Sequence, residues 1–97
     1  MLKNLSVNDN FEEVLKDGVW LVDFYATWCG PCKMLGPVLE EFSSNHNVLK
    51  VDVDQFNELA SRFGIMSVPT LIVFKNGQLE KTTMGYKTID ELNEFIK

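Results

Sequence analysis

What this chain has little of already narrows its possibilities. No stretch approaches the ~20 consecutive apolar residues of a membrane-spanning helix. The opening Met1-Leu2-Lys3-Asn4-Leu5-Ser6 lacks the apolar core of a signal peptide, so a cytoplasmic protein is expected. Positive charge is the minority, 9 Lys and Arg against 14 Asp and Glu, and it is scattered along the chain. That argues against a nucleic-acid surface or an acidic-membrane surface. There is one histidine, His46, and there are two cysteines. Structural zinc takes four ligands, so these soft groups do not make a metal site. No repeat, low-complexity tract or linker divides the sequence. The 97 residues are expected to form one domain, 1–97, with one modest core, and to work as a monomer.

The two cysteines are informative by position. They lie in Trp28-Cys29-Gly30-Pro31-Cys32, after a strand-like run and at the start of a helix-like one. A Cys-x-x-Cys pair in that setting reads as a redox dithiol. A helix N-terminus carries partial positive charge and unpaired N–H groups, which favour a thiolate on Cys29. The thiolate is the species that attacks disulfides. Three positions along a helix bring Cys32 onto the same face, so the pair can close and reopen. Closing so short a loop removes little unfolded-state entropy, which argues against a structural staple. Cys29, at the helix tip, is expected to be the more exposed of the two and Cys32, one turn in, the more shielded.

Periodicity supplies the frame. Lys3 to Leu5 reads as a short edge strand. Phe11, Val14 and Leu15 share one helical face, and Gly18 ends that helix. Val19 to Ala26 is nearly continuous apolar sequence, the pattern of a central strand covered on both faces. Pro31 to about Ser44 reads as a helix with Leu35, Val38, Leu39 and Phe42 inward. Pro31 is tolerated in its first turn, and Pro37 is expected to kink it. Val48 to Val53 is a strand, Glu58 to Phe63 a short helix capped by Gly64, and Thr70 to Phe74 a further strand. Asn76-Gly77 is a two-residue hairpin signal leading into Leu79 to Met84. Thr88-Ile89-Asp90-Glu91 is a capping box for a last helix that buries Ile89, Leu92, Phe95 and Ile96. The order β-α-β-α-β-α-β-β-α predicts an α/β protein, a mixed sheet with helices on both faces.

Asp23 stands out within the apolar strand. Alternation there offers no wet face to host it, and burying an unpaired carboxylate raises its pKa. Lys50, on the neighbouring strand, is a charge partner within reach or else a solvated strand-end lysine. His46, among Ser43, Ser44, Asn45 and Asn47, reads as a solvated surface residue. Asp52 and Asp54 read as a helix-start or loop pair, because no glycine-rich liganding loop accompanies them. Met34, Met66 and Met84 read as core or rim filler.

Together, Val22-Asp23-Phe24-Tyr25-Ala26, the Trp28-to-Lys33 segment, Val68-Pro69-Thr70, Phe74-Lys75-Asn76-Gly77 and Gly85 make the sequence resemble the thioredoxin family, in its bacterial form, over essentially the whole chain. The resemblance implies the thioredoxin fold, a five-stranded sheet of order 1-3-2-4-5 with four flanking helices. It implies reduction of protein disulfides and recharging by a thioredoxin reductase drawing on NADPH, with no bound cofactor. Cys29 would attack and Cys32 resolve, with Asp23 exchanging a proton with Cys32. Gly30 and Pro31, where oxidising members usually carry a histidine, would favour a reductant, and Lys50 would tune the pair. Pro69 would follow a cis peptide bond and face the dithiol, with Val68 offering its backbone to an extended substrate. Trp28, Val68 and Gly85 would form an apolar docking patch. Tyr25 departs from the tryptophan common at that place in bacterial members. Two other readings stay open on the sequence: an oxidase or isomerase in the same fold, and a binding subunit that uses the patch without turnover.

Overall fold

The computed structural model describes residues 1–97. Its elements run β1 (Leu2–Asn4), α1 (Phe11–Leu15), β2 (Val19–Tyr25), α2 (Gly30–Phe42), β3 (Asn47–Asp52), α3 (Asn57–Arg62), β4 (Thr70–Lys75), β5 (Gln78–Met84) and α4 (Ile89–Phe95). The five strands form one sheet in the order β1-β3-β2-β4-β5. β3 is parallel to both β1 and β2, whereas β4 runs antiparallel to β2 and β5 antiparallel to β4. The apolar β2 lies at the centre of this sheet.

Strand alternation sorts the core into two layers. Trp20, Val22 and Phe24 of β2, with Leu49 and Val51 of β3 and Ile72 and Phe74 of β4, pack with Phe11 and Leu15 of α1. Leu59 and Phe63 close that layer from the α3 side. Leu21, Val48, Leu71 and Val73 point the other way and meet Leu35, Leu39 and Phe42 of α2 and Leu92 of α4. By the same alternation Asp23, Tyr25, Lys50 and Asp52 belong to the α2 side of the sheet.

Local chemistry sets the element ends. Asn10 caps α1 by accepting from the Glu13 N–H, and Thr88 and Glu91 form the reciprocal capping box of α4. Pro31 occupies the first turn of α2, and the helix continues through Pro37. Asn76 (φ 50°) and Gly77 (φ 82°) both take the left-handed conformation that a tight hairpin of this hand requires. Asn76 also clamps the far end of the sheet. Its Oδ1 accepts from the Gly18 N–H at 2.8 Å, and its own N–H donates to the Gly18 carbonyl at 2.8 Å.

Candidate functional site

β2 ends at Tyr25, and the chain passes Ala26, Thr27 and Trp28 to reach Cys29, the N-cap of α2. This is the carboxyl end of the central strand, where the helix presents its unpaired N–H groups. Cys29 and Cys32 are joined in a disulfide, with Cα atoms 5.2 Å apart. The Cys29 Sγ accepts a hydrogen bond from the Cys32 backbone N–H at 3.2 Å. The Val68 carbonyl oxygen lies 3.5 Å from the same sulfur. Exposure does not separate the two cysteines: each is 5% accessible, against the expected exposed Cys29 and shielded Cys32. Ala26 clusters with the two cysteines, and Tyr25, Val53 and Val68 pack against them, so the helix tip is walled on its flanks.

Asp23 sits on the α2 side of β2, in register with Lys50 of β3 on one flank and Leu71 of β4 on the other. It is fully buried, and neither carboxylate oxygen has a hydrogen-bond partner. Burial pushes its pKa up to about 7, and the positive charge of Lys50 acts in the opposite direction. Lys50 is half-buried and makes no ion pair with Asp23. Its ammonium instead lies over the Tyr25 ring, 4.6 Å from the centroid.

The apolar rim is built from three loops. Trp28 is 68% exposed, yet its position is fixed: the indole Nε1 donates to Asp54 Oδ2 at 2.9 Å. Asp54 is in turn held by its N–H donating to Asp52 Oδ1 at 2.9 Å. The Val68-Pro69 peptide is cis. The Pro69 carbonyl accepts from the Gly85 N–H at 2.8 Å, which ties the end of β5 to the proline loop. Trp28 and Val68, with Val53, Ile65, Met66 and Ser67, line a shallow groove of about 340 Å³ beside the disulfide. A larger hollow of about 570 Å³ lies along α3 between Gln55 and Arg62, and neither cysteine lines it.

The structure thus brings Trp28, Cys29, Cys32 and Val68 together at the carboxyl end of the central strand, with Pro69 and Gly85 hydrogen-bonded to each other beside Val68. Gly30 and Pro31 form the turn between the cysteines, and Asp23 and Lys50 lie further back along the strands. Several rim residues escape a reading of the sequence. Met66 is 92% exposed, Met34 64% and Met84 60%, so of the core and rim alternatives only the rim fits them. Met84 accepts a hydrogen bond from the Ser67 hydroxyl at 3.3 Å. The signal for Met66 is its place between Gly64 and Pro69, in the loop that also carries Val68. Asp54 is bonded to Asp52, the last residue of β3, but its bond to Trp28 leaves no mark in the sequence. His46 stacks on Phe42 with ring centroids 4.2 Å apart, away from the dithiol.

A disulfide capping a helix at the carboxyl end of the central strand of such a sheet defines a thiol–disulfide oxidoreductase. The family model described as Thioredoxin matches residues 3–97. Thioredoxin of Staphylococcus saprophyticus is 47% identical over 94 residues, covering 93% of this chain and 90% of that protein. Thioredoxin of Bacillus subtilis is 41% identical over 95 residues, with 94% and 91% covered. Among solved structures, a mutant thioredoxin from Halobacterium salinarum matches with a TM-score of 0.90 at 36% identity, covering 98% of this chain and 87% of that one. Schistosoma mansoni thioredoxin matches with a TM-score of 0.88 at 36% identity, with 98% and 92% covered. The chain belongs to the thioredoxin family, and it reduces protein disulfides through its Cys-Gly-Pro-Cys dithiol.

Proposed function

We propose that Cys29 is the attacking thiolate and Cys32 the resolving thiol. The observation that carries this assignment is the Cys32 N–H aimed at the Cys29 sulfur at the helix N-cap. A donor directed at one sulfur favours negative charge there, and the helix terminus adds to it. In the reduced protein the Cys29 thiolate attacks one sulfur of a substrate disulfide. A mixed disulfide forms and the other substrate sulfur leaves as a thiolate. Cys32 then loses its proton and attacks the Cys29 sulfur of the mixed disulfide. The second substrate thiolate departs, and the Cys29–Cys32 disulfide remains. Two electrons have passed from this chain to the substrate.

Asp23 is the acid–base group that exchanges a proton with Cys32. In support, it is the one buried carboxyl with no partner, on the α2 side of the strand leading to the dithiol, and its pKa of about 7 matches that task. Lys50 supplies a positive charge that keeps Asp23 from rising further. Gly30 and Pro31 shape the turn between the sulfurs. Trp28, Val68, Pro69 and Gly85 receive the substrate, and the Val68 carbonyl beside the Cys29 sulfur suits pairing with an extended segment. Recharging falls to a thioredoxin reductase drawing on NADPH. The chain acts as a monomer and a single domain, in the cytoplasm, where disulfides are kept reduced.

The test uses Cys29→Ser and Cys32→Ser with a disulfide-bonded protein such as insulin. Cys32→Ser should accumulate mixed disulfides through Cys29, and Cys29→Ser should be inert. Limiting iodoacetamide on the reduced wild type should label Cys29 first. Preferential labelling of Cys32 would reverse the two roles.

A further inference from the structure

Tyr25 has no part in the exchange just described, yet it lies among the groups that carry it out. It is two residues beyond Asp23 on β2, so both side chains leave the same face of the sheet. It packs against the Cys29–Cys32 cluster. Its ring carries the Lys50 ammonium at 4.6 Å from the centroid. Lys50 is the strand neighbour of Asp23, but none of the four ion pairs in the structure includes it, and both Asp23 oxygens remain without a hydrogen-bond donor. The ammonium is therefore held near the buried carboxyl without being spent on a direct bond to it.

We propose that Tyr25 is a positioning residue for the reaction: its ring face holds the Lys50 ammonium beside, but off, the buried Asp23 carboxyl, and so sets the field in which Asp23 gives up and recovers its proton. The inference rests on the reading of Asp23 as the acid–base group. The attraction comes from the ring quadrupole, negative on its face, which draws a partly desolvated ammonium. Without the ring, two forces pull Lys50 away from Asp23. One is water, which solvates an ammonium strongly. The other is Asp52, which follows Lys50 by two residues on the same face of β3 and is the register partner of Tyr25. The remaining surroundings of Asp23 carry no competing charge. β4 contributes the apolar Leu71. From α2 the nearby titratable groups are the cysteines, which are tied up while the disulfide is closed. The Tyr25 hydroxyl is itself held protonated to higher pH than usual, by burial first and then by Asp52 and Asp23, so it brings no negative charge near neutrality.

The experiment follows the Asp23 carboxyl carbon by NMR against pH in the oxidised full-length protein, where no thiol titrates. Wild type should titrate near 7. Tyr25→Phe keeps the ring and should match it. Tyr25→Leu keeps apolar bulk but loses the quadrupole, and should raise the midpoint by about half a pH unit. Lys50→Met should raise it further. In the Lys50→Met background, Tyr25→Leu should add nothing, because the ring would have no ammonium left to hold. The low-pH limb of the disulfide-reduction profile should move with the NMR midpoint. Should Tyr25→Leu fail to fold, Tyr25→Met carries the same expectation. In wild type the Lys50 Cε protons should show an upfield ring-current shift. A wild-type Asp23 titrating in the ordinary carboxylate range would overturn the acid–base reading itself. With wild type as expected, three results would overturn the role of Tyr25 alone: no shift in the ring-less variant, a full shift persisting without Lys50, or no ring-current shift on Lys50.

Discussion

Replacing Asp23 by asparagine tests the energetic core of the site. The folded carboxyl has a pKa of about 7, against about 3.9 in an unfolded chain. Well below a pH of about 4 both states are protonated, and burial of the neutral acid carries no ionisation penalty. As pH rises from there, the unfolded chain sheds its proton while the folded one keeps it. The unfolded state then binds fewer protons, so stability falls with pH, by up to about 1.4 kcal/mol per unit. The fall levels off above the folded pKa, after a loss of about 4 kcal/mol. Out of a typical 5–15 kcal/mol for a whole domain, that is a large fraction. The substituted side chain would never ionise. Its amide is as poorly partnered as the protonated acid, so the two proteins should be closely matched near pH 4 and diverge above it. Urea unfolding of the oxidised proteins at several pH values between 4 and 8.5 measures the difference directly. Asp23→Asn should be the more stable at pH 8 and the slower at reducing insulin. A stability difference that stays flat across this range would refute the reasoning, since it would mean that Asp23 is not a desolvated, ionising group. So would a substituted protein less stable at pH 8.

Other expectations follow from local geometry. Gly77→Ala places a side chain at φ 82°, where the added Cβ meets only ordinary contacts at 3.8 and 3.9 Å, so the cost should be the backbone term alone, about 1–2 kcal/mol by urea unfolding. Thr88→Ala removes the α4 capping box and should cost about 1 kcal/mol with reduction rates unchanged. Trp28→Ala should raise KM for a protein disulfide more than it lowers kcat. Asp54→Leu, which frees the indole, should reproduce part of that effect, and steady-state kinetics on both variants would show it.

The sheet and its helices were legible because each rests on a local pattern with one dominant cause. The continuous apolar run from Val19 to Ala26 announced a strand covered on both faces, and β2 occupies Val19–Tyr25. Asn76-Gly77 and the Thr88 box mark their elements through short-range backbone chemistry, which needs no tertiary partner. Asp23 was legible for the opposite reason, as a charge that the pattern had no room for. What could not be read was exposure at the rim. Met66 has the composition of a core residue, and only the path of the α3–β4 loop leaves it in solvent. Equal burial of Cys29 and Cys32 has the same origin, because Val68 approaches Cys29 from a loop distant in sequence. The bond from Trp28 to Asp54 joins residues far apart in the chain and likewise has no local signature.

The reciprocal bonds between Gly18 and Asn76 decide where this molecule can be held. β4 runs from Thr70, beside the proline loop, to Lys75, beside the clamp. Five steps along the strand set these two ends about 17 Å apart. The hairpin tip is thus the pole remote from the disulfide, and it is pinned to the α1–β2 turn. A surface linker or fluorescent carrier attached at Gln78 would point away from the disulfide and leave the groove beside Trp28 open. Tethering through Met66, which lines that groove, would bury it against the support. An immobilised form of the protein should therefore keep or lose its reducing activity according to which end of the sheet is anchored.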